Sequence, residues 1–411
     1  MKPRQIIYFG NFGTQNLGNE CTLHAIICNT LKRVPDARLK CLCTVPEDTA
    51  ARHSIPAFGS VAASPAWLQP GKYGPLAKWL RRLFFRIPIE LLHWAKGFRL
   101  MRGSHMLIVP GTGIVSDYLT GPFGWPYDIF KWSSIAKLCR VKVLFVSIGV
   151  GPIYHPLSKW LIKTSLRFAE YRSYRDTASK QYMEGIGFRT NGDRVCPDLA
   201  FGLPRGMFPE RPLYRGEKPI IGVGLKDYYG PAGPGDRPDA KAYLDYLNTM
   251  AAFVVWLREH QYPVRVLIGD ILYDSSVKSD FMNLLKERGL ATGDGQISAE
   301  PVLTVDELLV QLAATDIVIS PRFHNLVLAL MLNKPVLALS SHQKLDSLMA
   351  GLGLAGYCVP LRNLGVDILI KHFVELEKKA EKLKPYIKRK VEQYREAWDQ
   401  EYSAIFPAQQ A

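Results

Sequence analysis

Apolar residues along this chain fall into short β-branched runs, each followed by a glycine or polar turn and then by a helical pattern. Ile6-Ile7-Tyr8-Phe9, Leu39-Lys40-Cys41-Leu42, Met106-Leu107-Ile108-Val109 and Val143-Leu144-Phe145-Val146 make a first series. Ile220-Ile221-Gly222-Val223, Val264-Arg265-Val266-Leu267, Ile317-Val318-Ile319 and Val336-Leu337-Ala338-Leu339 make a second. Strand runs alternating with helical stretches predict parallel βα units. The expected fold class is therefore α/β, with two doubly wound, Rossmann-like domains whose strand C-termini face a central cleft, where ligands of open sheets bind. No internal repeat of solenoid period is present.

Between the two series, Leu203 to Pro212 is dense in proline and glycine and has no period, which is the pattern of an interdomain linker. The predicted division is residues 1–203, a linker at 204–218, a second domain at 219–375 and one or two terminal helices over 376–411, where a mixed-charge helical pattern runs. The stretch "GPAGPGDRP", Gly230 to Pro238, reads either as a mobile loop at the mouth of a cleft or as a surface turn without a role. Residues 65–102 depart from the alternation, because basic residues from Lys72 to Arg102 are interleaved with aromatic and leucine residues and Glu90 is the only acid. That interleaving suits a helix lying in an anionic membrane interface, or else helices covering the sheet with basic outer faces.

Composition narrows the field. With 411 residues, 47% hydrophobic and 22% charged, the chain can bury a large core and should not be disordered. Its seven cysteines are odd in number and none lies in a C-x-x-C pair, so neither a disulfide framework nor a zinc site is predicted and a reducing compartment fits. No charged start with a long apolar stretch appears, and no run of about 18 apolar residues, so a cytoplasmic protein is expected. The balance of 52 Lys+Arg against 37 Asp+Glu, +15, suits an acidic small substrate or an anionic surface. Nucleic acid is not expected, since no reading module accompanies the charge.

Chemistry is concentrated at the predicted strand ends. "GNFGTQNLGNE", Gly10 to Glu20, sets three glycines and three asparagines between a strand and a helix, like the lip of a binding cleft, but its spacing is neither a dinucleotide fingerprint nor a P-loop. Further corners follow at Gly111 and Gly113 and at Gly149 and Gly151. Each is an ordinary turn by itself; together they fit a floor that lets a ligand approach the backbone. In "SYRDTASKQYM", Asp176 is placed to cap a helix, and Arg175 adds a guanidinium beside that helix start. "DIVISPRFHNLVLALMLNKPVLALSSHQK" is the most informative stretch, setting Arg322, His324 and Asn325 between a buried strand and a buried helix. Placing such groups there costs desolvation unless a polar partner or anion is present, so a site is predicted. Lys344 follows the next strand and adds a cation to the same sheet edge. His324 is placed as a proton-transferring group. No Ser-His-Asp order, H-E-x-x-H motif or carboxylate cluster points to hydrolase or metal chemistry.

With these residues in view, the chain resembles the polysaccharide pyruvyl transferase family through "NLGNECTLHAI", "PGTGIVSD", "SIGVGP", "SYRDTAS", "CPDLAF" and "SPRFHNLVLALMLNKPVLALSSHQK", in this order over most of its length. Asn19 stands where the family usually has Asp, and Pro110 where it usually has Gly. The resemblance implies a GT-B-like fold and transfer of the pyruvyl group of phosphoenolpyruvate onto two hydroxyls of a glycan, giving a cyclic ketal and phosphate. It implies Arg175, His324 and Lys344 as active residues with Phe323 beside them, and no cofactor besides the donor. Arg322 would help to clamp the donor, Asn325 is a further substrate-binding candidate, and the glycine corners would hold the acceptor with Asn16 and Glu20 near it. If that acceptor is lipid-linked, residues 65–102 would dock the enzyme at the inner membrane face. Two other readings stay open: a nucleotide-sugar glycosyltransferase of the same fold, which would want a ribose-binding carboxylate where only Asp346 is on offer, and a non-catalytic anion-binding protein at a membrane surface.

Overall fold

The computed structural model describes residues 3–61, 85, 87–210, 216–230, 239–290 and 296–407. The chain divides into two compact units, Met1–Thr14 with Thr30–Val195, and Gln15–Asn29 with Cys196–Gln409. Most of "GPAGPGDRP", residues 211–215 of the expected linker, and the tryptophan-rich part of the insert lie outside the described residues.

The first unit holds a parallel sheet of β1 (Gln5–Phe9), β2 (Arg38–Cys43), β3 (Ala57–Gly59), β4 (Met106–Pro110), β5 (Lys142–Ile148), β6 (Tyr171–Tyr174) and β7 (Arg194–Val195), in the order β3-β2-β1-β4-β5-β6-β7. Its central strands read as unbroken apolar runs because helices cover both faces. Ile7, Phe9, Leu107, Val109 and Phe145 pack with Trp132 of the helix Trp125–Leu138 into one core. Each such side chain contributes about 1.5–3 kcal/mol on burial. The helix Thr177–Gly185 begins at Asp176, whose carboxylate accepts from Ser179 N at 2.7 Å, the cap expected from sequence.

The second unit repeats the plan with β8 (Ile221–Gly224), β9 (Val264–Leu267), β10 (Ile297–Ser298), β11 (Ile317–Ser320), β12 (Val336–Ser340) and β13 (Cys358–Pro360), all parallel, in the order β10-β9-β8-β11-β12-β13. Strand order reverses between β8 and β11, so the chain leaves these two neighbours in opposite directions and opens a crevice at their C-terminal ends. The C-terminal helix begins earlier than the charge pattern suggests and is a single helix, Val366–Ile405. Its first turns bury Leu369, Phe373 and Leu376 in the core of this sheet, so they read as domain interior rather than as an appended helix.

Candidate functional site

Every polar group of interest in the second unit follows the C-terminal end of a strand. Lys226 and Asp227 follow β8, Asp270 and Asp274 follow β9, Arg322 to Asn325 follow β11, and Ser341 to Lys344 follow β12. Parallel strands bring these loops to one edge, which is why residues some hundred positions apart in the chain can meet.

Arg322 is the anchor of this edge. Its Nη2 donates to Asp227 Oδ1 at 2.8 Å and to Asp274 Oδ1. Asp274 is fully buried, and its other oxygen accepts from the backbone N–H groups of Gly269 and Asp270 at 3.1 and 3.0 Å. Burial acts against the charge on Arg322, but the facing carboxylates, Asp274 foremost, outweigh it and raise its pKa. A guanidinium neutralised by two carboxylates holds loops together; this differs from the anion clamp that its position suggests in the sequence.

His324 lies in the first turn of the helix Phe323–Met331. Gly18 faces the ring so closely that a Cβ there would stand 1.8 Å from Nδ1. Nε2 is also 3.6 Å from Oδ1 of Asp198, beyond hydrogen-bond length. Asp198 is itself fixed: its carboxylate accepts from Ala200 N at 2.9 Å, and its carbonyl accepts from Trp398 Nε1 at 3.0 Å. The Phe323 ring meets the imidazole edge-on with centroids 5.1 Å apart, and the Lys344 ammonium lies 5.9 Å from the centre of the same ring. Asn325 is fully buried, and among the described residues neither of its amide atoms has a hydrogen-bond partner.

Lys226 and His342 escape the sequence reading. The Lys226 ammonium donates to Ser341 Oγ at 3.0 Å, and its pKa is pushed down to about 8, first by burial and then by the Arg322 charge. His342 is pushed down, first by desolvation of its ring and then by the charges of Lys226, Lys344 and Arg322. Four cationic or basic groups thus converge at one strand edge. The helices that start there, Phe323–Met331 and Gln343–Gly351, have no side-chain cap, whereas the helix after β9 is capped by Asp270. Uncapped first-turn N–H groups favour an anion.

Other sequence candidates take different places. Asn16 belongs to the second unit, where its Nδ2 donates to Asp270 Oδ2 at 2.7 Å and Leu17 N donates to Gly269 O. It is therefore committed to the protein itself, not to an acceptor corner of the first domain. Glu20 is buried, at 1% exposure, in the helix Leu17–Arg33. Asp346 accepts from Cys358 Sγ at 3.4 Å.

Arg175 and the glycine corners lie in the first unit. Arg175 follows β6, with its Nε 3.6 Å from Asp176 Oδ2. Gly149 sits under its guanidinium, where a Cβ would stand 2.3 Å from Nη2. At Gly111 a Cβ would come within 1.9 Å of the Ser147 carbonyl, at a kink where β5 shifts register and Ser147 has φ of 51°. Gly151 faces Ser116 at 3.0 Å, and Gly113 has φ of +75° with open space beside it. Glycine at 111 and 149 is thus required by the protein's own atoms, and only Gly113 opens outward. Within the insert, Glu90 binds the buried Lys131 at 3.0 Å, while Leu91 and Leu92 are 64% and 63% exposed. Among the described residues no helix is long and apolar enough to cross a membrane.

Two parallel sheets of Rossmann strand order, the second carrying a basic site at its switch point, define an α/β protein of the GT-B class. The chain belongs to the polysaccharide pyruvyl transferase family, an enzyme family whose model matches residues 16–343. Solved structures agree on the fold. A protein assigned as a UDP-N-acetylglucosamine 2-epimerase from Listeria monocytogenes superposes with TM-score 0.62 at 11% identity, covering 98% of this chain and 96% of that one. The UDP-GlcNAc 2-epimerase of Neisseria meningitidis gives 0.55 at 11% identity, covering 98% and 99%. MurG of Acinetobacter baumannii gives 0.53 at 11% identity, covering 98% and 99%. No curated protein matches the chain in sequence.

Proposed function

We propose that this pyruvyltransferase takes its pyruvyl group from phosphoenolpyruvate and sets it on two hydroxyls of a polysaccharide or lipid-linked glycan as a cyclic ketal, releasing phosphate. The observation that carries the reading is His324 packed edge-on against the Phe323 ring, with the Lys344 ammonium 5.9 Å from the centre of that same ring. A small polyanion whose methylene carbon must be protonated needs both parts.

In this reading a proton is delivered to the methylene carbon, which makes C2 electrophilic. One sugar hydroxyl adds to C2, the C2–O bond to phosphate breaks, and the second hydroxyl closes the ring. The two hydroxyl protons balance the reaction, one matching the new C–H bond and the other leaving with phosphate. His324 moves these protons, held in orientation by Gly18 and Asp198. Lys344 balances donor charge, and Arg322 keeps the loops in place. Arg175 is carried over from the family resemblance as a further donor cation, and the corner at Gly113 as an acceptor contact. Peripheral docking on an anionic membrane suits the exposed Leu91 and Leu92 with Lys96 and Arg99 near them on the helix Ile87–Met101.

The test is incubation with phosphoenolpyruvate and candidate glycans, following phosphate release and the mass of a pyruvyl ketal on the glycan. Release coupled to ketal formation without any nucleotide is expected, with about 100-fold or greater loss in His324→Ala. Turnover that requires a nucleotide sugar would replace the reading with a glycosyltransferase.

A further inference from the structure

Two neighbouring cations in the second unit are treated in opposite ways by the fold. Arg322 has carboxylates of Asp227 and Asp274 on its Nη2. Lys226 has no carboxylate at ion-pair distance: among the described residues its ammonium donates to the neutral Ser341 hydroxyl at 3.0 Å, with the Asp227 and Asp274 charges acting on it from farther off. The lysine starts at the C-terminal end of β8 and reaches the end of β12, spanning the end of β11 that lies between them. Its backbone is fixed as well, since Lys226 N donates to the buried Tyr246 hydroxyl at 3.2 Å.

A half-buried ammonium has three donors and a full charge, and one hydroxyl satisfies only one donor and none of the charge. Holding it there costs desolvation that the nearby carboxylates of Asp227 and Asp274 offset only in part. A lysine with no binding task would turn its flexible stem to water, as surface lysines do. Here the stem is directed inward instead, and the second cation, Lys344, and the uncapped helix Gln343–Gly351 lie at the same edge.

We infer that Lys226 and Ser341 form a phosphate seat, which holds the phosphoryl group of the donor before transfer and inorganic phosphate after it. The link to the donor rests on the pyruvyl-transfer reading, whereas the seat itself does not. The two donors left on Lys226 and the Ser341 hydroxyl would bind phosphate oxygens, and Arg322, already neutralised, would not contribute.

The experiment titrates inorganic phosphate into the full chain by calorimetry, for the wild type, Lys226→Met, Lys226→Arg and Ser341→Ala, with thermal melts of each. Loss of charge-assisted hydrogen bonds predicts phosphate binding at least tenfold weaker in Lys226→Met, a smaller loss in Ser341→Ala, and recovery to within a few-fold in Lys226→Arg. The melting temperature of Lys226→Met should stay level or rise, because a charge whose desolvation outweighs its compensation has been removed. Equal phosphate affinity in the wild type and Lys226→Met overturns the inference, as does a wild type that binds no phosphate. The two readings separate cleanly. Lysine-dependent phosphate binding without phosphoenolpyruvate turnover keeps the seat and removes the donor, while turnover with an unchanged KM for phosphoenolpyruvate in Lys226→Met does the reverse.

Discussion

Gly18 and His324 meet so closely that only a hydrogen fits between the Cα of one and the ring of the other; a Cβ at 18 would stand 1.8 Å from Nδ1. In an exposed helix, alanine in place of glycine would be favourable by about 1 kcal/mol. Here Gly18→Ala must displace the imidazole instead. We expect an approximately 100-fold fall in kcat/KM with helical content unchanged by circular dichroism, since misplacing a reacting group by about 1 Å costs that much. Combined with His324→Ala it should add little, because both changes remove the same function.

Asp198 acts on His324 across 3.6 Å. Asp198→Asn should lower kcat by less than His324→Ala does and leave KM for the donor near its original value, since no donor contact is lost. Trp398→Phe, which frees the Asp198 carbonyl, should shift kcat the same way and more weakly. A rise in KM with kcat unchanged would show that Asp198 binds substrate directly.

The buried pair of Arg322 and Asp274 is the stability-critical contact at this edge. Removing one member leaves the other charge buried, which costs about 3–5 kcal/mol. Asp274→Asn should therefore lower the urea midpoint strongly. Asp227→Asn should do so much less, because that side chain is 32% exposed against 0% for Asp274.

The pH dependence follows from Lys226, whose folded pKa of about 8 lies below the ordinary 10.5. In the free protein the charged form is the costly one. Its penalty is therefore complete below about pH 8 and disappears as pH rises toward 10.5, so this group makes the protein more stable in that window. Anion binding has the opposite sign, because it needs the ammonium. Phosphate affinity should hold below pH 8 and fall about tenfold per unit above it. Lys226→Arg keeps its charge throughout and should remove that fall; calorimetry of the wild type and this variant between pH 7 and 10 checks it.

Much of the architecture was legible in the sequence. Both series of apolar runs became strands, because central strands of a parallel sheet are buried on two faces and carry an unmistakable signal. Edge strands such as β3 and β10 were not legible, since two or three half-covered residues leave no such pattern. The start of the last helix at Val366 was hidden for the reverse reason: its first turns are as apolar as the core they enter.

The site divides in the same way. Arg322, His324 and Lys344 are polar residues interrupting apolar runs, so sequence alone marked them, and with the family motifs it determined the fold class and the enzyme family. Only the tertiary structure decided their separate duties. It spent Arg322 on Asp227 and Asp274, set Gly18 and Asp198 beside His324, turned Asn16 toward Asp270, and brought Lys226 to Ser341 across 115 residues of sequence. Local sequence specifies burial and element type through solvent and backbone preferences, which act over a few residues. The partner of a charge is set by which strand ends the sheet order places side by side, and that becomes fixed when the sheet forms.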